Sequence, residues 1–177
     1  MNPMNRPDER SLLGVLDRLI RKDEAARFIE WAITAAAARL AADDGALLAW
    51  EPIPLGVYGS ELPEMILSSW VFILRSGSVT GAERHPNSHQ RMTSYRGAGD
   101  FQIDDGHGWQ SNFLSSDPAA GLDQKWVSIP ANTWHQGVTG EQDWVVVSFH
   151  TVAEKELIEE RPDLADGETT HIRRYLN

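Results

Sequence analysis

The residues best suited to metal chemistry are four histidines in a part of the sequence made of short apolar runs: His85, His89, His135 and His150. Two of them lie in the segment 83–89 (ERHPNSH), and His135 ends the segment 130–135 (PANTWH), some 50 residues later. Imidazole nitrogens are common ligands of divalent metals. Because a rolled-up sheet brings distant segments to one interior point, we predict that these two segments meet around one metal ion.

The first segment has a ligand spacing that a strand can use. Successive side chains on a strand point to opposite faces, so Glu83 and His85 can both face the interior while Arg84 faces away. Together with His135 they form a two-histidine, one-carboxylate face, the arrangement that non-haem Fe(II) oxygenases use. As an alternative, His89 could replace Glu83 as a ligand or lie behind the metal as a hydrogen-bond donor.

Instead of binding a metal, Glu83 could have a structural role, since its carboxylate could pair with Arg84 or Arg91 at the rim of the rolled-up sheet. His150 lies on the last predicted strand of the barrel and is either a base near the substrate or a buried core residue. For substrate contacts we predict Gln90, Arg91, Met92, Tyr95 and Phe149. Arginine suits a carboxylate substrate and the apolar residues suit a pocket wall, but the strand register decides which of them face inward.

The hydrophobic pattern changes once along the chain. From Ser11 to about Ala42 apolar residues recur at helical spacing, which predicts two helices. After Gly45 the apolar runs become short and are separated by Gly, Pro, Asn and Asp, which predicts the strands of a sandwich or barrel. We divide the single domain into three regions: N-terminal helices in 1–45, the barrel in 46–152, and a short helix near 153–160 with a charged tail in 153–177.

Composition limits the partners of the protein. The chain has 177 residues, a formal net charge of -10 and no cysteine. The negative charge argues against nucleic acid and an anionic membrane surface, because phosphate groups would be repelled. The lack of cysteine excludes disulfides and thiolate ligands. No apolar stretch resembles a secretory signal or a membrane span, so we predict a cytoplasmic protein that binds a small molecule and can form a homodimer through sheet edges.

The two segments resemble the two motifs of the cupin superfamily, whose members are jelly-roll barrels. The second cupin motif runs from a proline to a histidine, as 130–135 does. The resemblance is closest to thiol dioxygenases of the cysteine dioxygenase type. These enzymes share the Asn-Ser-His run at 87–89, a glycine eight residues later at Gly97, and a Ser-x-His segment at 148–150 that ends fifteen residues beyond His135.

This resemblance implies a mainly β fold, the cupin double-stranded β-helix or jelly-roll barrel, with an N-terminal helical segment. It implies a metal-dependent enzyme, a non-haem Fe(II) dioxygenase that acts on a small organic substrate. Its metal ligands would be His85 and His135, with Glu83 standing where the family has its first histidine. Ser148 and His150 would form the catalytic relay that handles protons.

Three departures from the family limit what carries over. Val152 stands at the family's catalytic tyrosine, and Gln90 stands at the cysteine that some members crosslink to it. No arginine lies between Leu40 and Leu74 to bind an amino-acid carboxylate in the family's manner. The alternatives are a cupin module that binds a small ligand or metal without catalysis, and a cupin isomerase or hydrolase that uses Zn, Mn or Ni.

Overall fold

The computed structural model describes residues 7–162 and 170–174. In these ranges two long helices precede the strands, as the apolar spacing predicts. The helices are α1 (Pro7–Leu19), α2 (Asp23–Ala42) and the short α3 (Leu122–Lys125). The strands are β1 (Leu48–Pro52), β2 (Ser68–Leu74), β3 (Gln90–Arg96), β4 (Ala98–Asp104), β5 (Trp109–Gln110), β6 (Phe113–Ser115), β7 (Trp126–Ile129), β8 (His135–Thr139), β9 (Trp144–His150), β10 (Ile158–Pro162) and β11 (Thr170–Arg174). None of these helices is long and apolar enough to cross a membrane.

Two antiparallel sheets face each other. Sheet A has the strand order β1-β2-β9-β3-β7, and sheet B has the order β5-β4-β6 with β8 also paired to β4. Strands that follow each other in sequence, such as β3 and β4 or β7 and β8, lie in opposite sheets, as in a jelly roll. Strands β10 and β11 form a separate pair. The predicted architecture, a mainly β jelly roll with an N-terminal helical segment, is confirmed.

Side-chain alternation divides sheet A between two hydrophobic cores. On β9, Trp144 and Val146 face sheet B, where they pack with Phe101 and Leu114. The intervening residues, such as Val147, face the opposite way and pack with the buried stripe of α2. Strand β9 is buried at every position because sheet B covers one of its faces and the helices cover the other. The interior between the sheets is therefore where the predicted ligands have to converge.

Two glycines help the chain to pass from sheet A to sheet B. Gly97 joins β3 to β4 with φ 84°, a left-handed conformation that side chains disfavour. Gly99 lies against the ring of Trp144, where an added Cβ would come within 2.3 Å of the indole. The backbone and the indole therefore pack directly, which brings the two sheets close together at this point.

The C-terminal region differs from the prediction of a helix near 153–160. In this region the structure has a 3-10 turn at Glu154–Glu156, and strand β10 follows it. Strand β10 pairs with β11 and also bridges from Glu160 to Arg84 in the first ligand segment. Long-range backbone pairing has overridden a local helical preference. Much of the predicted charged tail lies outside the described residues.

Candidate metal centre

Backbone pairing brings the two predicted ligand segments together. Glu83 and His135 form an isolated antiparallel bridge, with N–H···O distances of 2.9 Å and 2.8 Å between their backbones. The N–H of Asn132 also donates to the His85 carbonyl at 2.8 Å. The fold therefore contains the convergence of segments 83–89 and 130–135 that the sequence predicts.

Three ligand atoms meet at this point. The carboxylate of Glu83 and the imidazoles of His85 and His135 offer one atom each, and these atoms lie within 4.8 Å of one another. Glu83 Oε1 is 3.5 Å from His135 Nε2, and the two histidine rings are 5.4 Å apart between centroids. Both imidazoles are buried. A set of two nitrogens and one oxygen at this spacing can hold one divalent ion.

The backbone determines which nitrogen each histidine offers. His85 Nδ1 lies 2.9 Å from the Ile158 carbonyl oxygen, and His135 Nδ1 lies 2.9 Å from the Thr133 carbonyl oxygen. A carbonyl only accepts, so each Nδ1 carries a hydrogen, and in the neutral form of each ring Nε2 is the nitrogen with the lone pair. His135 Nε2 is buried without a hydrogen bond within the described structure. A buried lone pair beside a carboxylate fits a cation, and metal-bound histidines are typically held in this way.

The protonation states of the candidate ligands also suit a metal. Burial alone would raise the pKa of Glu83, but contact with His135 and the charges of His135, His85 and Arg161 lower it to about 2. Burial, and then His135, lower the pKa of His85 to about 4. At neutral pH the carboxylate is therefore charged and the His85 ring is neutral, and these are the forms that bind a cation.

Glu83 has a partner that sequence reasoning missed. Arg161, on β10, donates from Nη2 to Glu83 Oε2 at 2.5 Å. The pairing with Arg84 or Arg91 that the sequence suggested is not formed, because both of those arginines bind other carboxylates. Arg161 lies 78 residues from Glu83, just after the segment where a helix was predicted, so no local pattern connects the two.

His150 lies beside the three candidate ligands. Its ring centroid is 5.0 Å from that of His85, edge to face. Ser88 Oγ lies 3.2 Å from its Nδ1, and Ser148 Oγ lies 3.3 Å from its Nε2. Burial, and then the charges of His85 and His135, lower the pKa of His150 well below its usual value. The predicted pair of Ser148 and His150 is thus close to the candidate metal ligands, and Ser88 is a partner of His150 that the sequence did not single out.

His89 lies on the opposite face of the sheet from the candidate ligands. Its Nε2 is 2.7 Å from Ser128 Oγ and 4.0 Å from a carboxylate oxygen of Glu9 in α1. Strand alternation explains this position: Gln90 is paired with His150 and faces the interior, so the residue before it faces outward. The alternative ligand set, in which His89 replaces Glu83, required His89 to lie beside His85 and His135. The structure does not place it there.

The predicted substrate contacts are split between the two faces of sheet A. Gln90 and Met92 face the barrel interior. Arg91 instead forms an ion pair with a carboxylate of α1, and Tyr95 and Phe149 pack in the core beneath the helices. A strand turns alternate residues to opposite faces, and the phase of that alternation cannot be read from the sequence. The last three residues are therefore removed from the pocket wall.

A groove of about 880 Å³ runs along β1, the edge strand of sheet A. Residues of β1, among them Trp50, form much of its wall together with the C-terminal end of α2. Thr80 and Arg161 also line the groove. Because Arg161 also contacts Glu83, the groove comes within one side chain of the candidate metal ligands.

Comparison with known proteins identifies no family. No protein-family model and no curated protein matches the chain. The crystal structure of the coconut allergen cocosin is 16% identical over 54% of this chain and 24% of its own, with a TM-score of 0.46. Pumpkin seed globulin is 16% identical over 64% of this chain and 28% of its own, with a TM-score of 0.49. The capsular polysaccharide assembling protein CapF from Staphylococcus aureus is 16% identical over 73% of this chain and 32% of its own, with a TM-score of 0.48.

The chain spans about a quarter to a third of the length of these solved proteins. Similarity at this level of identity and TM-score gives no indication of activity. The function of the chain therefore has to be argued from its own buried histidines and carboxylate.

Proposed function

We propose that the chain is a metal-dependent enzyme that binds one Fe(II) ion through Glu83, His85 and His135 and oxidises a small organic molecule with dioxygen. The proposal is carried by the convergence of the Glu83 carboxylate with two buried histidines, each of which is oriented by a backbone carbonyl at its Nδ1. Two imidazoles and one carboxylate on one side of a metal leave the other positions open, as in non-haem Fe(II) oxygenases. The sequence resemblance to thiol dioxygenases supports the same chemistry.

An Fe(II) ion held here would supply the activation of dioxygen, while the protein would control protons and polarity around the substrate. His150 is buried beside the ligand set, and its lowered pKa keeps the ring neutral at neutral pH, so it can act as a weak base toward a substrate group. Ser88 and Ser148 fix the ring of His150 through its two nitrogens. Gln90 Oε1 is buried without a hydrogen bond within the described structure, so it can accept one from a bound substrate.

Metal content tests the ligand assignment. Protein reconstituted with Fe(II) without oxygen should hold one ion per chain, measured by elemental analysis. His85→Ala and His135→Ala should lose the ion, because each removes one of the three ligands. His89→Ala is a matched control, since its histidine bonds Ser128 on the other face of the sheet, and it should keep the metal content of the wild type. Full metal content in either ligand variant would overturn the assignment.

Oxygen chemistry requires an open position on the ion. Nitric oxide, a stable stand-in for dioxygen, should give the Fe(II) protein a characteristic electron paramagnetic resonance signal. Dioxygen uptake should then be screened with small thiols first, because of the sequence resemblance, and with small carboxylic acids second. His150→Gln should keep the nitric oxide signal and lose dioxygen uptake. Normal uptake in that variant would remove His150 from the proton relay.

The second candidate is a module that binds metal without catalysis. One feature supports it, which is the packing of an aromatic ring next to the ligands. The Phe101 ring lies 5.4 Å from the His135 ring between centroids, so an apolar side chain occupies part of the space beside the ligands. Such a module would bind Fe(II), Zn, Mn or Ni and consume no dioxygen with any of the small molecules screened. The measurements above therefore separate the two candidates.

A further inference from the structure

We infer that Arg161 is a positioning residue of the metal centre, which holds one carboxylate oxygen of Glu83 so that only the other oxygen faces the metal. This inference rests on the proposed metal site. It adds strand β10, which the sequence did not connect with the ligands, to the parts of the molecule that build that site.

The two carboxylate oxygens of Glu83 have different neighbours. Oε1 lies 3.5 Å from His135 Nε2, on the side where the ligand atoms converge. Oε2 accepts a hydrogen bond from Arg161 Nη2 at 2.5 Å. A charge-assisted hydrogen bond of this kind is strong and directional. The carboxylate is therefore oriented to bind a metal through Oε1 alone.

Arg161 is itself held in three directions. Its Nε donates to Glu159 Oε1 at 2.6 Å, and its Nη1 donates to the Thr80 carbonyl oxygen at 3.0 Å. Glu159 is 1% exposed, so its charge sits in a buried position next to the guanidinium. Because the guanidinium is a rigid plane, these contacts fix the direction of the bond to Glu83.

The same strand also orients a second ligand. The Ile158 carbonyl oxygen is the acceptor for His85 Nδ1 at 2.9 Å. The side chain of Asn87 bonds the backbone on both sides of position 157, donating to the Glu156 carbonyl at 2.7 Å and accepting from the Ile158 N–H at 3.2 Å. Strand β10 is thus tied to the first ligand segment and contacts two of the three candidate ligands.

This arrangement has a consequence for coordination. A carboxylate that binds through one oxygen uses one position on the ion, whereas a carboxylate that binds through both oxygens uses two. By holding Oε2, Arg161 keeps one more position available for substrate or dioxygen. Its positive charge also offsets the negative charge that Glu83 brings to a place where the related enzymes have a neutral histidine.

The test compares Arg161→Ala with Arg84→Ala. Both arginines join the same two segments, have side chains 28% and 27% exposed, and pair with a carboxylate, but the partner of Arg84 is Glu160 and not a candidate ligand. With Co(II) as the probe, Arg161→Ala should bind the ion roughly 10- to 100-fold more weakly, which is the usual effect of removing a residue that hydrogen-bonds a metal ligand. Its visible absorption spectrum should also change, because the carboxylate can turn both oxygens to the ion. Arg84→Ala should keep the affinity and spectrum of the wild type.

Arg161→Lys provides the conservative replacement and guards against a folding defect in the alanine variant. It keeps the charge but loses the three-way fork, so it should recover part of the Co(II) affinity. Wild-type affinity and spectrum in Arg161→Ala, or equal changes in the Arg84 and Arg161 variants, would overturn the positioning role. If the wild-type protein itself binds no Co(II), the proposed metal site fails and the positioning role fails with it.

Discussion

At the scale of single residues, His85 illustrates how a buried side chain can be prepared for metal binding. The Ile158 carbonyl sets the tautomer of its ring. Burial lowers the pKa of His85 from the ordinary value of 6.5 to about 4, so the ring stays neutral at pH values where a free imidazole is protonated. The metal-free protein should therefore be sensitive to acid at this residue, since protonation of His85 is costly in the folded chain and easy in the unfolded chain.

The predicted effect is a loss of stability as the pH falls from about 6.5 to about 4. In this window the unfolded chain binds a proton at His85, whose ordinary pKa is 6.5, while the folded chain does not. This residue alone would lower the free energy of unfolding by at most about 3 kcal/mol over that window. Urea denaturation with a chelator present, at several pH values, measures the slope.

His85→Gln should show a shallower slope than the wild type. Some slope should remain, because His150 also has a lowered pKa. His107→Gln, a change in an exposed turn, should leave the slope unchanged. A wild-type slope in His85→Gln would contradict the prediction.

The residues that sequence reasoning found and those it missed differ in one physical respect. Glu83, His85 and His135 could be predicted because their spacing and their motif context are local properties. Arg161 could not, because its role depends on where β10 docks, and docking is set by contacts between residues far apart in the chain.

At the scale of elements, α1 is joined to sheet A by a charged contact beneath the helix. Glu9 of α1 binds Arg91 of β3 through two hydrogen bonds of 2.7 Å and 3.0 Å, and the Arg91 side chain is 3% exposed. Ser128 Oγ also donates to Glu9 at 2.7 Å. Arg91 was predicted as a substrate contact, but here it serves to hold the helix on the sheet.

Arg91→Ala should therefore destabilise the fold without changing the metal content. Removal of one partner leaves the other charge inside the interface, and such changes cost about 3 to 5 kcal/mol. Arg96→Ala is the matched control on the same strand, because its pair with Glu30 of α2 is about half exposed, and it should cost about 0 to 1 kcal/mol. Urea denaturation compares the two variants, and equal losses would contradict the difference in burial.

The positions of the strands and helices were largely predictable from the sequence. Which side chains of each strand face the barrel interior was not. The two-residue period predicts a strand through Gln90 and Met92, but it does not say whether these residues or Arg91 face the barrel interior. The register between β3 and β9, which pairs Gln90 with His150, decides the question. The same limit applies to β10, where the segment around Glu156 has helix-forming residues but ends in a strand because it pairs with distant backbone.

At the scale of the whole molecule, the candidate ligands join parts of the chain that are far apart in sequence. Glu83 and His85 precede β3, His135 begins β8, and the contacts of β10 lie behind them. An ion bound at this point would be lost on unfolding, because the unfolded chain does not keep the ligands together.

A bound divalent ion should therefore raise the thermal stability of the whole domain. At a free metal concentration 100 times Kd, the gain is about 2.7 kcal/mol. For a chain of this size that corresponds to a rise in Tm of roughly 5 to 10 °C. Differential scanning calorimetry with and without Ni(II) measures it. His135→Ala, compared with its own metal-free form, should show no rise, and a rise equal to that of the wild type would place the ion elsewhere.

The acceptor for His85 is a backbone oxygen, and this affects how the protein can change during evolution. Any amino acid at position 158 that permits an extended backbone supplies the same oxygen, so related sequences need not share a residue type there. Alignments of such sequences would give no signal at this position. Insertion or deletion of a single residue between 153 and 157 would have a different effect, because it would move another part of the chain into the place of that oxygen and leave the imidazole without its acceptor.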